Sequence, residues 1–94
     1  DNPGFIYYCY KENGITVPRR TSELYGAGTD VSKENLQPGD VVFFWQNTPG
    51  TAEYAGIYVG DDRFIACSHE EKPTCEQDMS LPYFEAHFVG AKRY

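Results

Sequence analysis

Two strand-like segments joined by the tripeptide Gly60-Asp61-Asp62 constrain the fold more than any other feature of the chain. Both segments are rich in aromatic and β-branched residues, and a short Gly/Asp connection between such segments is typical of a β-hairpin. Further runs of this kind occur on either side of the pair. The sequence predicts five strands, at residues 41–45, 54–59, 63–68, 74–77 and 87–91. They favour a small antiparallel sheet in the second half of the chain.

The first half of the chain opens with a strong helix start. Asn2 is a good N-cap, and Pro3 suits the first helical position because its missing N–H is not needed there. The pattern predicts a helix to about Asn13, stopped by Gly14, and shorter helical turns at residues 21–25 and 81–86. One helix followed by a run of short strands predicts a single α+β domain over residues 1–94.

Composition excludes several classes of partner. The formal net charge of -6 and the isoelectric point near 4.7 argue against nucleic acid and anionic membranes, which are bound through Lys and Arg. No apolar run approaches the roughly 20 residues of a membrane span, so we expect no membrane insertion. The His and Cys spacings match no zinc pattern, and we expect neither a metal nor a cofactor. Since no initiator Met or signal peptide is present, we expect a piece of a larger protein.

Three cysteines allow at most one internal disulfide. Cys67 and Cys75 flank a polar, turn-like stretch, so a symmetric hairpin would set them opposite each other within reach of a bond. Alternatively, they are two small apolar residues that never bond. Cys9 is expected to be an inert thiol of the core, on the buried stripe of the first helix.

Three motifs together resemble a known family. They are Asp1-Asn2-Pro3-Gly4-Phe5 at the helix start, the turn Leu36-Gln37-Pro38-Gly39-Asp40, and the strand Tyr54-Ala55-Gly56-Ile57-Tyr58-Val59-Gly60. The chain resembles the NlpC family of papain-like cell-wall cysteine peptidases over almost its whole length. That family usually carries Asp-Cys-Ser-Gly-Phe at the head of a helix and His-Val-Gly-Ile-Tyr on a strand. The resemblance implies a papain-like domain whose first helix packs on the sheet, here without the helix and Tyr-bearing loop that usually precede the Asp-Cys motif.

The resemblance also assigns three catalytic positions, and each holds a different residue in this chain. Asn2 stands at the nucleophile, Tyr54 at the general base and Ala66 at the polar residue that orients the base. An amide supplies no thiolate, and a phenol with an ordinary pKa near 10 hardly accepts a proton at neutral pH. We therefore expect a degenerate member of the family without peptidase activity.

The leading functional hypothesis is a secreted or envelope-associated domain that binds stem peptides of peptidoglycan. The resemblance and the aromatic content favour Asp1, Trp45, Tyr54 and Ser68 as ligand-binding residues. A second hypothesis is a structural or regulatory domain whose partner is another protein segment. A third keeps a cysteine peptidase with a relocated nucleophile, Cys67 or Cys9, and His69 as its base.

Overall fold

The computed structural model describes residues 2–66 and 75–94, apart from the side chains of Asn2, Pro3, Phe5 and Cys75. The helices are α1 (Asn2–Glu12), α2 (Thr21–Tyr25) and α3 (Pro82–His87), with a 3₁₀ turn at Lys33–Asn35. The strands are β1 (Thr29–Val31), β2 (Val41–Phe44), β3 (Tyr54–Gly60), β4 (Arg63–Ala66), β5 (Cys75–Asp78) and β6 (Phe88–Arg93).

All six strands of the described chain form one antiparallel sheet in the order β1-β6-β2-β3-β4-β5. The last strand therefore lies between the first two. The α+β class is confirmed, and the five predicted strands are found with ends shifted by one or two residues within the described ranges. The sequence reasoning missed β1, which pairs with β6 through Thr29 and Arg93.

Strand β2 is buried on both of its faces. Val41 and Phe43 pack with Ile6 of α1 on one side of the sheet, and Val42 and Phe44 pack on the other. Because successive side chains of a strand point to opposite faces, the unbroken apolar run of β2 is what a central strand between two layers requires. The sheet thus has α1 and α2 on one face and α3 against the other.

The predicted hairpin between β3 and β4 is present, and its turn has the expected backbone. Gly60, Asp61 and Asp62 have φ angles of 100°, 52° and 60°. Positive φ at both central residues is the requirement of a type I′ turn, which Asp tolerates better than bulkier residues do. Helix α1 ends as predicted too, since Gly14 follows it with a φ of 79°.

Two local predictions about helix starts have different outcomes. Helix α1 is assigned from Asn2, whose side chain lies outside the described atoms, so its capping role stays a prediction. The sequence predicts a helical turn at residues 81–86, but α3 begins at Pro82, and Leu81 before it makes no side-chain cap. The backbone N–H and the hydroxyl of Ser80 instead donate to Asp78, 2.9 and 2.6 Å away.

The turn before β2 is fixed to the end of the chain by a buried carboxylate. Asp40 is 3% exposed and accepts hydrogen bonds from the Nε and Nη2 atoms of Arg93, both at 2.8 Å. It also accepts the backbone N–H of Gln37 at 2.9 Å. Burial alone would raise the pKa of Asp40, but these hydrogen bonds outweigh it and hold the pKa below its ordinary value. The carboxylate therefore joins the turn, β2 and β6.

Candidate ligand-binding groove

A groove of about 250 Å³ opens where β2 ends, β3 begins and α3 crosses the sheet. We call it the aromatic groove. It is lined by Phe44, Trp45, Gln46, Tyr54, Gln77, Tyr83 and Phe84. Five aromatic side chains and two amides make a surface that combines apolar contact with hydrogen-bonding capacity, as small-ligand and peptide sites do.

The floor of the aromatic groove is a rigid cluster of rings. The ring centroid of Phe44 lies 5.0 Å from that of Phe64, 5.1 Å from that of Phe84 and 6.3 Å from that of Tyr54. Phe44 and Phe64 are fully buried, and their tilted and edge-on arrangements are the favourable ones for aromatic pairs. The floor is therefore an extension of the hydrophobic core.

A row of three neighbouring rings supports one side of the aromatic groove. The ring of His87 lies between Trp45, 3.9 Å away between centroids, and Tyr83, 4.1 Å away. The His87 Nδ1 atom is 2.7 Å from the carbonyl oxygen of Tyr83, which can only accept, so the contact requires Nδ1–H as the donor. The carbonyl of His87 accepts the backbone N–H of Trp45 at 2.9 Å. Helix α3 thus fixes the position of Trp45.

The loop between Trp45 and Tyr54 is held by one carboxylate. Glu53 Oε1 accepts three consecutive backbone N–H groups, those of Gln46, Asn47 and Thr48, at 2.7, 2.8 and 2.9 Å. The bonds from Thr48 and Gln46 lower the pKa of Glu53 most, against a smaller opposing effect of desolvation. Glu53 directly precedes Tyr54. Its carboxylate therefore fixes the loop that connects Trp45 to Tyr54, two residues that line the groove.

The structure brings together some of the predicted ligand-binding residues. Trp45 and Tyr54 line the same groove, whereas Asp1 and Ser68 lie outside the described residues. The sequence reasoning missed Tyr83, Phe84, Gln77 and His87, although aromatic residues at positions 83, 84 and 87 on one short helix are a signal for an aromatic wall.

Of the three positions that the resemblance assigns to catalysis, the structure describes the side chains of Tyr54 and Ala66 but not that of Asn2. Tyr54 and Ala66 lie on the same face of the sheet, in the cluster that contains Phe44 and Phe64. Helix α1 contributes Ile6 to the cluster on the other face. Because the side chain of Asn2 lies outside the described atoms, its distance from Tyr54 stays untested.

Cys9 has the surroundings of an unreactive thiol. It is partly buried beside an apolar cavity of about 290 Å³, and desolvation by burial raises its pKa. A nucleophilic cysteine needs the opposite shift. His69 and Cys67, the other residues of the relocated site, lie outside the described residues.

The proposed disulfide also falls at the edge of the described chain. Strands β4 and β5 pair Ala66 with Cys75, so the partner of Cys75 in this register is one residue before Cys67. Cys67 and the Cys75 side chain lie outside the described atoms, and the bond stays a prediction.

The side chains and helices of the described residues bear on metal binding and on membrane insertion. Within residues 2–66 and 75–94, no group of three or more His, Cys, Asp or Glu side chains is placed to hold a metal ion. None of the helices in the same ranges is long and apolar enough to cross a membrane.

Comparison with known proteins gives consistent matches. The model of the NlpC/P60 family matches residues 1–93. The chain is 34% identical over 96 residues to the murein DD-endopeptidase MepH of Escherichia coli, covering 99% of this chain and 35% of that protein. It is 33% identical over 95 residues to a gamma-D-glutamyl-L-lysine dipeptidyl-peptidase of Bacillus cereus, covering all of this chain and 28% of that protein. The chain thus spans about a third of the length of these relatives.

Solved structures give the same result for the fold. A crystal structure of an NlpC/P60 family protein from Bacillus cereus superposes with a TM-score of 0.90 at 33% identity, covering all of this chain and 31% of that one. The NlpC/P60 domain of the peptidoglycan hydrolase SagA superposes with a TM-score of 0.77 and 23% identity, covering all of this chain and 76% of that one. The second likeness concerns the fold alone.

Proposed function

Since the chain belongs to the NlpC/P60 family, we propose that this domain binds the peptide part of peptidoglycan in the aromatic groove and does not cleave it. The observation that carries the proposal is that Tyr54, at the position of the family's general base, lines one groove with Trp45. We propose that the domain acts at the cell envelope, where the wall polymer is found.

The chemistry of the three substituted positions supports the absence of cleavage. Asn2 offers no thiol at the head of α1. The Tyr54 phenol can donate a hydrogen bond but is a poor base at neutral pH. Ala66 is fully buried, and its methyl group cannot orient a base. Acyl transfer needs a nucleophile and a base together, and these positions supply neither.

The composition of the aromatic groove supports the binding of a peptide. The exposed ring of Tyr83 and the ring of Trp45 offer flat apolar surfaces, and Gln46 and Gln77 carry amides that can both donate to and accept from a peptide backbone. The rings are held in place by the Phe44 cluster and by His87, so little conformational entropy is lost when a ligand binds.

The relatives indicate the class of peptide. One is named as a gamma-D-glutamyl-L-lysine dipeptidyl-peptidase and another, from Bacillus subtilis, as a gamma-DL-glutamyl hydrolase. A groove inherited from such enzymes and stripped of its catalytic groups would still fit a γ-D-glutamyl peptide. We therefore propose a stem peptide with this linkage as the ligand.

Binding can be followed through Trp45, the single tryptophan of the chain. We expect a γ-D-glutamyl muropeptide to change Trp45 fluorescence saturably. Tyr83→Ala should weaken binding about tenfold, in the range found for removal of an aromatic contact residue. Val59→Ala is the control, because Val59 is 38% exposed on β3 and lines neither the aromatic groove nor the pocket along α1. Equal weakening by both substitutions would contradict a role for the groove.

Cleavage is tested separately by mass spectrometry of the same muropeptide after long incubation. We expect intact peptide with and without iodoacetamide. Turnover that iodoacetamide abolishes would overturn the non-catalytic proposal and would return Cys9 or Cys67 to consideration as the nucleophile.

A further inference from the structure

A second concave site lies along α1, separate from the aromatic groove. It has a volume of about 450 Å³ and is lined by Gly4, Tyr7, Tyr8, Lys11, Glu12 and Arg19. We call it the α1 pocket. We propose that the α1 pocket binds a carboxylate group, held between Arg19 and Lys11. This inference does not depend on the function proposed for the aromatic groove.

Two cations are arranged around a single ring in this pocket. The Cζ atom of Arg19 lies 5.2 Å from the ring centroid of Tyr7, and the Nζ atom of Lys11 lies 5.9 Å from it. A guanidinium held near an aromatic face keeps its N–H groups at the edge of its plane, where they can meet both oxygens of a carboxylate. The partly buried ring of Tyr7 therefore presents Arg19 without using its hydrogen-bond donors.

Both cations are free of acidic partners in the described part of the chain. The ion pairs there involve Arg63, Lys92 and Arg93, and none involves Lys11 or Arg19. No hydrogen bond of the Arg19 guanidinium occurs with the described residues either. In a chain with a net charge of -6, two cations that share one cavity and have no ion-pair partner among the described residues make a local excess of positive charge. Such an excess attracts an anion.

The charge of the lining limits which anion fits. Glu12 also lines the α1 pocket, so the two cations and this carboxylate leave a net charge of +1. The Tyr8 hydroxyl donates to Glu12 Oε1 at 3.0 Å, which partly satisfies that carboxylate. One bound monoanion makes the pocket neutral, whereas a dianionic phosphate would leave a net charge of about -1 beside Glu12. A planar carboxylate, of the kind carried by peptides, also matches the fork of Arg19.

The test uses a matched pair of small probes at constant ionic strength. N-acetylglycine carries one carboxylate, and N-acetylglycinamide has the same shape without the charge. We expect N-acetylglycine to shift the NMR signals of the Tyr7 ring and of Arg19 Nε saturably, and the amide to leave them unchanged. Equal shifts with both probes would overturn the carboxylate assignment. Tighter binding of inorganic phosphate than of N-acetylglycine would also overturn it.

Variants then separate a site from general surface charge. We expect Arg19→Gln to weaken N-acetylglycine binding about tenfold, which corresponds to about 1.4 kcal/mol for the loss of a charge-assisted contact. Glu12→Gln should strengthen binding, because it removes the opposing charge. The control is Lys33→Gln, which changes the net charge equally at a cation that lies 5.1 Å from the Phe88 ring and outside the pocket.

Each outcome of the variant series decides for or against the α1 pocket. Weakening by Arg19→Gln with no effect of Lys33→Gln supports it. Equal weakening by both would show that binding follows net charge alone and would overturn the proposal. All three residues are exposed, and an unchanged unfolding midpoint in each variant confirms that the comparison is made on folded protein.

Discussion

Replacing Asp40 by Asn should destabilise the domain far more than the same substitution at Asp30, although both carboxylates pair with neighbouring cations of β6. Asp40 is 3% exposed and bonded to Arg93, whereas Asp30 is paired with Lys92 and its side chain is 89% exposed. Asn keeps the shape of Asp but has one oxygen and a donor group. The pair of substitutions therefore compares a buried carboxylate that accepts several hydrogen bonds with an exposed one.

The magnitude follows from the contacts that Asp40 makes. Its two oxygens accept three hydrogen bonds, two from Arg93 and one from the Gln37 amide. A hydrogen bond to a charged group contributes about 1.5–3 kcal/mol, and the amide of Asn would face a donor at one of these positions. Since the Arg93 side chain is 43% exposed, water replaces part of what is lost. We expect Asp40→Asn to lower the free energy of unfolding by about 2–3 kcal/mol, short of the roughly 3–5 kcal/mol for a fully buried pair.

Urea denaturation at pH 7 followed by circular dichroism measures both variants. We expect Asp30→Asn to stay within about 1 kcal/mol of the parent, because the Asp30 carboxylate is 89% exposed. The Lys92 side chain is only 12% exposed, but its Nζ atom keeps its contact with the Tyr25 ring, 5.0 Å from the centroid. The pKa of Asp40 is lower in the folded state than its ordinary value of 3.8, so its stabilising effect is complete above that pH and is lost as the pH falls through the folded pKa. The gap between the parent and Asp40→Asn should therefore shrink below about pH 4. Equal effects of the two substitutions at pH 7 would refute the reasoning.

Two further predictions concern the groove and the head of α1. Glu53→Gln should speed the hydrogen exchange of the backbone amides of residues 46–48 relative to the parent, because Glu53 Oε1 accepts hydrogen bonds from all three. Since the pKa of Glu53 is lowered, the parent's protection of these amides should be lost only as the pH falls below the ordinary value of 4.5. Equal exchange in both proteins at neutral pH would contradict the role of Glu53 in holding the loop. In the double variant Asn2→Cys with Tyr54→His, the thiol at position 2 should have a lower pKa than in Asn2→Cys alone, because a nearby imidazole favours the thiolate. The pH dependence of alkylation at position 2 measures both pKa values. Equal values would show that positions 2 and 54 do not lie close together.

The sequence was informative where the structure depends on local signals. The β3–β4 hairpin depends on its own turn residues, and β2 on an apolar run of four residues. Strand β1 depends on neither, because its three residues are mostly exposed and its partner Arg93 is 64 residues away from Thr29 along the chain. Nothing in the residues around position 30 indicates that the final strand will pair there.

The candidate groove was predictable to a similar extent. Trp45 was identified because it ends a strand-like segment beside a loop, and Tyr54 because the resemblance places it at the position of the general base. The opposite wall comes from α3, some 30 residues later, and its contribution depends on how that helix packs on the sheet. The contact of His87 with Trp45 is therefore a tertiary feature. The spacing of Tyr83, Phe84 and His87 along α3 predicts an aromatic face, but not that this face meets the end of β2.

The burial of Ala66 links the sheet to the proposed loss of catalysis. The β3–β4 register pairs Tyr58 with Phe64, which places residues 54 and 66 on one face of the sheet, as a base and its orienting group would need to be. In this chain that face is filled by Phe44 and Phe64, and Ala66 is fully buried between them and the rest of the cluster. A larger side chain at position 66 would have to fit among these rings, which makes the change costly for packing. On the assignment that the resemblance gives, a base restored at position 54 would not by itself restore an orienting group at position 66, where the alanine is part of the hydrophobic core.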